Sequence, residues 1–127
     1  MLTMENSKRK KTLGKIGEEL AVRYLKRKGL RILHTNWVYD HKEIDIIAED
    51  DHFMIMVEVK TRNINFVESP EEMIPKRKQK ALIDAAESFV LIHDIDKETR
   101  FDVILVVFEN KKPTIEHIED AFYPGVI

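Results

Sequence analysis

The feature that most constrains the fold is a continuous apolar run near the end of this 127-residue chain. Residues 101–108 (FDVILVVF) contain a single charged side chain, Asp102. A strand with one face in water alternates apolar and polar side chains, whereas a strand buried on both faces reads as a nearly continuous apolar run. Residues 101–108 therefore predict a strand that is covered on both faces.

Two helices are predicted from apolar side chains that recur at helical spacing. The first covers residues 13–28 and ends at Gly29, and the second has Pro75 as its first residue. Gly14 and Gly17 each weaken the first helix by about 1 kcal/mol relative to alanine, which indicates a close approach of backbone or ligand, or simple looseness at the helix start. The apolar face of the second helix consists of Leu82, Ala85, Ala86, Phe89 and Val90.

Four more strands are predicted from β-rich segments separated by polar breaks. These segments are residues 30–39, 44–49, 53–60 and 115–118. The polar break at residues 50–52 predicts a hairpin, residues 61–74 lack periodicity and predict a loop, and residues 111–113 predict a turn. The resulting order αβββαββ predicts an α/β fold, in which a central mixed β-sheet is flanked by helices.

Composition excludes several kinds of site. The chain has no cysteine, so disulfides, zinc–thiolate sites and thiol nucleophiles are excluded. Its five histidines show no metal-ligand spacing. The formal charge is −2, so any nucleic-acid surface must be a local patch on a nearly neutral body.

Domain organisation is predicted to be simple. We expect residues 1–11 to form a flexible basic tail and residues 12–127 to form a single domain. No apolar run approaches the roughly 18 residues of a membrane span, and no apolar stretch follows the basic N-terminus as in a secretory signal. We therefore expect a cytoplasmic protein without a membrane partner.

Acidic side chains cluster around the predicted hairpin. Side chains two apart on a strand share a face, so Glu43 projects with Asp45, and Glu58 projects with Lys60. The hairpin sets Asp45 nearly opposite Val57 or Glu58, where paired Cβ atoms lie about 4.5–5.5 Å apart. Two carboxylates so close repel unless a cation lies between them, and Mg²⁺ takes one or two carboxylates with several waters. Lys60 could then orient or deprotonate a water, or stabilise charge on phosphoryl oxygens.

The alternative interpretation is a solvent-facing hairpin with ordinary alternating charges. Against it, Glu58 and Lys60 follow the apolar run of residues 53–57, where burial would make a charge costly.

The arrangement of Asp45 followed by Glu58-Val59-Lys60 after a hairpin resembles the PD-(D/E)xK signature of restriction-endonuclease-like nucleases. The wider motif set, from Gly14 to Phe122, resembles the YraN family of uncharacterised, endonuclease-like bacterial proteins, which are related in fold to Holliday-junction resolvases. Its other elements include Gly17-Glu18, Asn36-Trp37, Glu43-Ile44-Asp45, Lys78-Gln79 and Arg100-Phe101-Asp102-Val103. Lys42 and Val67 depart from the family pattern, which usually has glycine at both positions.

The resemblance implies a function and a set of roles. It implies a restriction-endonuclease-like fold and a nuclease that uses Mg²⁺ or Mn²⁺ to hydrolyse phosphodiester bonds of DNA, with branched or damaged structures as candidate substrates. Lys60 would be the catalytic lysine, and Gln79 a polar residue of the second helix that faces the site. A homodimer is implied by analogy with resolvases. The implied metal ligands are Asp45, Glu58, Val59 and Glu18.

Five basic residues are predicted to contact nucleic acid: Lys42, Arg62, Lys76, Lys78 and Lys80. The lysines at the start of the second helix oppose its macrodipole, and a bound phosphate would relieve both their repulsion and the unsatisfied N–H groups. The simpler interpretation is a solvated face.

Two other functions remain open at this point. The chain could be a non-catalytic nucleic-acid-binding module with the same fold. It could also be a protein-interaction domain that uses the sheet edge or residues 122–124.

Overall fold

The computed structural model describes residues 12–64 and 68–122, apart from the side chains of residues 70 and 71. The helices are α1 (Leu13–Arg27), α2 (Pro70–Met73) and α3 (Lys76–Ile92), and the strands are β1 (Arg31–Tyr39), β2 (Lys42–Glu49), β3 (Phe53–Asn63), β4 (Glu98–Glu109) and β5 (Lys112–Phe122). The predicted tail at residues 1–11, the departure at Val67 and the proposed contact at residues 123–124 lie outside the described residues.

The strands form one mixed sheet in the order β1-β2-β3-β4-β5. Neighbouring strands are antiparallel except for β3 and β4, which are parallel and are joined by the crossover that contains α3. The predicted α/β class and the order αβββαββ are confirmed. The single turn α2 is an addition within the predicted loop.

Two apolar layers cover the sheet, one on each face. On one face, Ala21 and Leu25 of α1 pack with Val57 of β3 and Ile104 of β4. On the other face, the apolar stripe of α3 packs with Met54 and Met56 of β3 and with Phe101 and Val103 of β4. Each large side chain buried in this way contributes about 1.5–3 kcal/mol. The prediction that the strand at residues 101–108 is covered on both faces is confirmed.

Strand lengths differ from the sequence-based prediction. The parallel register of β3 with β4 continues to Asn63, so β3 extends past the predicted end at Lys60. Strand β5 comprises the eleven residues Lys112–Phe122, of which eight pair with β4, rather than residues 115–118 only. The turn before β5 is at Asn110 and Lys111, both with positive φ, rather than at residues 111–113. Long-range pairing extended these strands into segments whose own propensity is low.

The start of α3 also corrects a prediction. Pro75 is the N-cap, with φ −59 and ψ 157, and is therefore extended rather than the first helical residue. Its carbonyl accepts the first intrahelical hydrogen bond, from the Gln79 N–H at 2.9 Å.

No helix in the described part of the chain is long and apolar enough to cross a membrane.

The close approach predicted for the glycines of α1 occurs at Gly17 alone. Gly17 is buried, and a Cβ atom there would overlap the hydroxyl of Thr61 on β3. A Cβ atom at Gly14 would meet nothing nearer than the Thr12 hydroxyl at 4.0 Å. Gly17 therefore lets α1 lie directly on β3, three residues along the strand from Glu58.

Replacing Gly17 by alanine tests this contact. We expect Gly17→Ala to lower the free energy of unfolding by about 1–3 kcal/mol, because the added methyl forces α1 away from β3. Gly14→Ala is the matched control and should be neutral or stabilising by up to about 1 kcal/mol. Urea denaturation measures both, and the double variant Gly17→Ala/Thr61→Ala should recover part of the loss. A Gly17→Ala protein as stable as Gly14→Ala would contradict the contact.

Candidate active site

The candidate site lies where β2 and β3 separate. Their pairing runs from Glu49↔Met54 to Ile46↔Val57, so Asp45 and Glu58 are the next residues beyond the paired segment. Oδ2 of Asp45 accepts a hydrogen bond from the Val59 N–H at 2.9 Å. The Asp45 carboxylate thus takes the place that a strand carbonyl would occupy, and it is held in the gap between the two strands.

Burial and neighbouring charges make Asp45 electrostatically unusual. Burial, followed by the negative charge of Glu58, raises the pKa of Asp45 from 3.8 to about 7. The Val59 N–H acts in the opposite direction, and Glu18 and Glu43 add smaller increases in the pKa. A cation in the gap would relieve this accumulation of negative charge.

Glu58 has a buried carboxylate, and its two oxygens differ in their contacts. It follows Met54 and Met56 on the face of β3 that α3 covers, and it is 5% exposed. Its Oε2 lies 3.2 Å from Nζ of Lys60 and 4.0 Å from Nζ of Lys78. Its Oε1 is buried and has no hydrogen-bond partner among the described residues. Leaving a buried carboxylate oxygen unsatisfied is costly, and a ligand bound at this atom would remove that cost.

Glu18 reaches the same region from α1. It lies 3.5 Å from Nζ of Lys15 and accepts a hydrogen bond from the Asn36 amide at 3.2 Å. The Asn36 amide also donates to Oε2 of Glu43 at 2.7 Å. Glu18, Asn36 and Asp45 line a common pocket of about 210 Å³. The sequence assigned no role to Asn36, which appeared only within the family motifs.

The residues present fit an open divalent-cation site. No group of three described histidine, aspartate or glutamate side chains forms a ready-made metal cluster. Mg²⁺, however, usually binds one or two carboxylates and completes its shell with waters and substrate oxygens. Asp45 and Oε1 of Glu58, which has no partner among the residues described, supply oxygen ligands of the right kind for such a site.

The other predicted residues differ in how close they lie to this gap. Gln79 donates from Nε2 to the Ile74 carbonyl at 2.9 Å, a hydrogen bond to the backbone before α3 rather than to a site carboxylate, so its role stays a prediction. Arg62 pairs with Glu68 at 3.0 Å. Two predicted lysines have partners on their own elements or turns, namely Lys42 with Asp40 and Lys80 with Asp84. Only Lys60 and Lys78, among the predicted basic residues described, have ion pairs with Glu58.

A second buried polar cluster lies away from the gap, around Asp102. Arg100 donates two hydrogen bonds of 2.9 Å to its carboxylate, and Nε2 of His117 lies 2.7 Å from Oδ2. Burial raises the pKa of Asp102, but the hydrogen bonds from His117 and Arg100 outweigh it and hold the pKa below its usual value. His117 also contacts the Tyr24 hydroxyl at 3.1 Å, so this cluster ties β4, β5 and α1 together.

Comparison with known proteins gives consistent matches. The model of the uncharacterised protein family UPF0102 matches residues 17–106. A UPF0102 protein of Flavobacterium psychrophilum is 46% identical over 87% of this chain and 93% of its own length. UPF0102 proteins of Parabacteroides distasonis and Bacteroides thetaiotaomicron are 41% and 43% identical, over 91% and 88% of this chain and 95% and 93% of their own lengths.

These names state no activity. The sequence identity extends along most of each relative's length, which shows that the chain and these relatives share a common ancestor. The predicted family resemblance is confirmed, and the chain belongs to the uncharacterised protein family UPF0102.

Proposed function

We propose that this protein is a nuclease that depends on Mg²⁺ or Mn²⁺ and hydrolyses phosphodiester bonds of DNA. The observation that carries the proposal is the buried Oε1 of Glu58, which has no hydrogen-bond partner in the part of the chain that the structure describes. The carboxylate of Glu58 is close enough to Asp45 to raise its pKa, and it lies 3.2 Å from the ammonium of Lys60. Branched or damaged DNA is the proposed substrate class, and a homodimer is the proposed assembly, both from the resemblance to resolvases.

Asp45 and Glu58, with the carbonyl of Val59 and the carboxylate of Glu18, would hold the cation. When bound, the cation supplies a water of lowered pKa and polarises a phosphoryl oxygen. The Val59 N–H keeps Asp45 in the gap through its 2.9 Å hydrogen bond, so the carboxylate is already positioned. Pre-positioning of this kind reduces the reorganisation that a ligand site must undergo on binding.

Lys60 would assist the reaction by donating hydrogen bonds from its ammonium group. Its Nζ lies 3.2 Å from Glu58, one of the residues that would hold the cation, so Lys60 would be within reach of a phosphate bound at this site. From there Lys60 donates a hydrogen bond to the attacking water or to a phosphoryl oxygen on which negative charge develops.

Lys78 would attract the DNA backbone toward the same place. It lies in the first turn of α3, is 43% exposed and approaches Glu58 to 4.0 Å. The first turn of α3 contains no acidic residue, and Pro75 provides no side-chain cap. The free N–H groups and the lysines of this turn therefore favour a phosphate.

Lys60→Ala tests the catalytic proposal. We expect the variant to lose cleavage of DNA by about 10²–10⁴-fold, the usual contribution of a positioned proton donor or acceptor. Lys112→Ala, on the edge strand β5, is the matched control and should cleave like the wild type. The assay is a panel of branched, single-stranded and duplex DNA, and of RNA, with Mg²⁺ or Mn²⁺.

Two outcomes of that assay would contradict the proposal. The first is no cleavage of any nucleic acid by the wild-type protein. The second is a gel shift that shows DNA binding but no product even when Mg²⁺ or Mn²⁺ is present, which would support the non-catalytic binding module instead.

The raised pKa of Asp45 predicts a pH-dependent stability. Between about pH 4 and pH 7 the native state binds a proton at Asp45 that the unfolded chain has released. The free energy of unfolding of the metal-free protein therefore falls as the pH rises through this window, by up to about 1.4 kcal/mol per pH unit from this group. Asp45→Asn keeps an acceptor for the Val59 N–H and lacks this proton, so its stability relative to wild type should rise from pH 4 to pH 7.

Urea denaturation in a chelator, at pH 4, 5.5, 7 and 8, measures this difference. A constant difference between wild type and Asp45→Asn across these pH values would show that Asp45 titrates normally. Added Mg²⁺ should stabilise the wild type at pH 8 more than Asp45→Asn, because the neutral amide oxygen is a weaker ligand for the ion than the carboxylate.

Lys78→Ala tests the proposed DNA contact. Losing one phosphate contact should reduce the slope of log affinity against log salt concentration by about one unit. Fluorescence anisotropy of labelled DNA in a chelator measures the slope without cleavage, and Lys112→Ala is again the control. If both variants have the wild-type slope, Lys78 does not contact the backbone.

A further inference from the structure

Asn36 has a strained backbone at the position opposite Asp45. Its neighbours Thr35 and Trp37 pair with Ile46 and Ile44 of β2, so Asn36 faces Asp45 across the two strands. Its φ of 52 is left-handed, although it lies within β1. Asparagine tolerates this conformation better than most residues, and such strain persists in proteins mainly where the surroundings require it.

The side chain of Asn36 uses all of its polar atoms on charged neighbours. Nδ2 donates to Oε1 of Glu18 at 3.2 Å and to Oε2 of Glu43 at 2.7 Å, and Oδ1 accepts from Nζ of Lys15 at 3.1 Å. A primary amide has two N–H donors and one carbonyl, so these contacts match its bonding capacity. The amide thus joins a carboxylate of α1 to a carboxylate of β2, which would otherwise repel each other.

This contact occurs at the candidate site itself. Asn36, Glu18 and Asp45 line the same pocket of about 210 Å³, and Lys15 lies at that pocket too. No other described hydrogen bond links Glu18 to β1 or β2. Lys15 of the same helix also lies 3.5 Å from Glu18, but the Asn36 amide is the group that ties the Glu18 carboxylate to the strand facing Asp45.

We infer that Asn36 is a positioning residue that orients the Glu18 carboxylate, and with it Glu43, beside Asp45 for a divalent cation. The inference rests on the proposed function, which it deepens by adding a residue that acts through Glu18. Glycine would keep the left-handed backbone but lose the amide, and aspartate would place a third carboxylate against two others. Asparagine therefore provides both the backbone conformation and the neutral amide that this position needs.

Asn36→Gly is the direct test, because it removes the amide and keeps the backbone permissible. We expect Mn²⁺ affinity, measured by calorimetric titration, to fall about 10–100-fold, as is usual when the hydrogen-bond partner of a metal ligand is removed. Asn110→Gly is the matched control: Asn110 is also an asparagine with a left-handed φ, of 51, in the exposed turn between β4 and β5. Its affinity for Mn²⁺ should equal that of the wild type.

A double-mutant cycle separates positioning from a general structural role. Glu18→Gln should weaken Mn²⁺ binding in the wild type and have little further effect in Asn36→Gly, because Glu18 is already misplaced there. If Glu18→Gln instead weakens Mn²⁺ binding by the same factor with and without Asn36→Gly, the two residues act independently and the inference is overturned. Equal Mn²⁺ affinity in wild type and folded Asn36→Gly would also overturn it, and this result would leave the proposed function intact.

A measurement on the wild-type protein covers the case in which Asn36→Gly does not fold. The side-chain amide resonances of Asn36 should shift on addition of Mg²⁺, while those of Asn110 should not. Unmoved Asn36 resonances in a protein that binds Mg²⁺ would overturn the inference. Absence of any Mn²⁺ or Mg²⁺ binding by the wild type would overturn the proposed function and the inference together.

Discussion

The hydrogen bond from the Val59 N–H to Asp45 is the interaction on which the candidate site depends. Regular pairing of β2 with β3 stops at Ile46↔Val57, and a side-chain carboxylate replaces the next backbone acceptor. This substitution satisfies the strand N–H and holds a half-buried acidic group between two separating strands. Glu58 is near enough to raise the pKa of Asp45 because both residues follow directly after the last pair.

Coverage of the sheet on both faces explains why this acidic group is so perturbed. Helix α3 covers the face that carries Glu58, and α1 lies close on the other face because Gly17 has no side chain to hold it away from Thr61. Asp45 is thereby half-buried and Glu58 is only 5% exposed, and charges interact more strongly where there is less water around them. Burial accordingly is the largest cause of the raised pKa of Asp45.

The sequence predicted the elements whose pattern is local. Apolar periodicity located α1, α3 and the hairpin, and the spacing of Asp45, Glu58 and Lys60 predicted that they would meet once the hairpin formed. The sequence-based prediction was wrong where pairing between distant residues decides the length of a strand. Strand β5 is an edge strand with many polar residues, and its length follows from its pairing with β4 rather than from its own composition. The role of Asn36 was equally hidden, because its partners Glu18 and Glu43 belong to different elements.

By itself, the sequence determined the order of helices and strands and the presence of two carboxylates and a lysine at one end of a hairpin, because side-chain alternation and helical periodicity are properties of consecutive residues. Only the tertiary structure decided that Oε1 of Glu58 would be buried with no partner within residues 12–64 and 68–122, that Lys78 would approach the same carboxylate, and that Asn36 would bridge α1 to β2. Each of these depends on how closely separate elements pack, and that distance is set by contacts such as Gly17 with Thr61, between residues far apart in the chain.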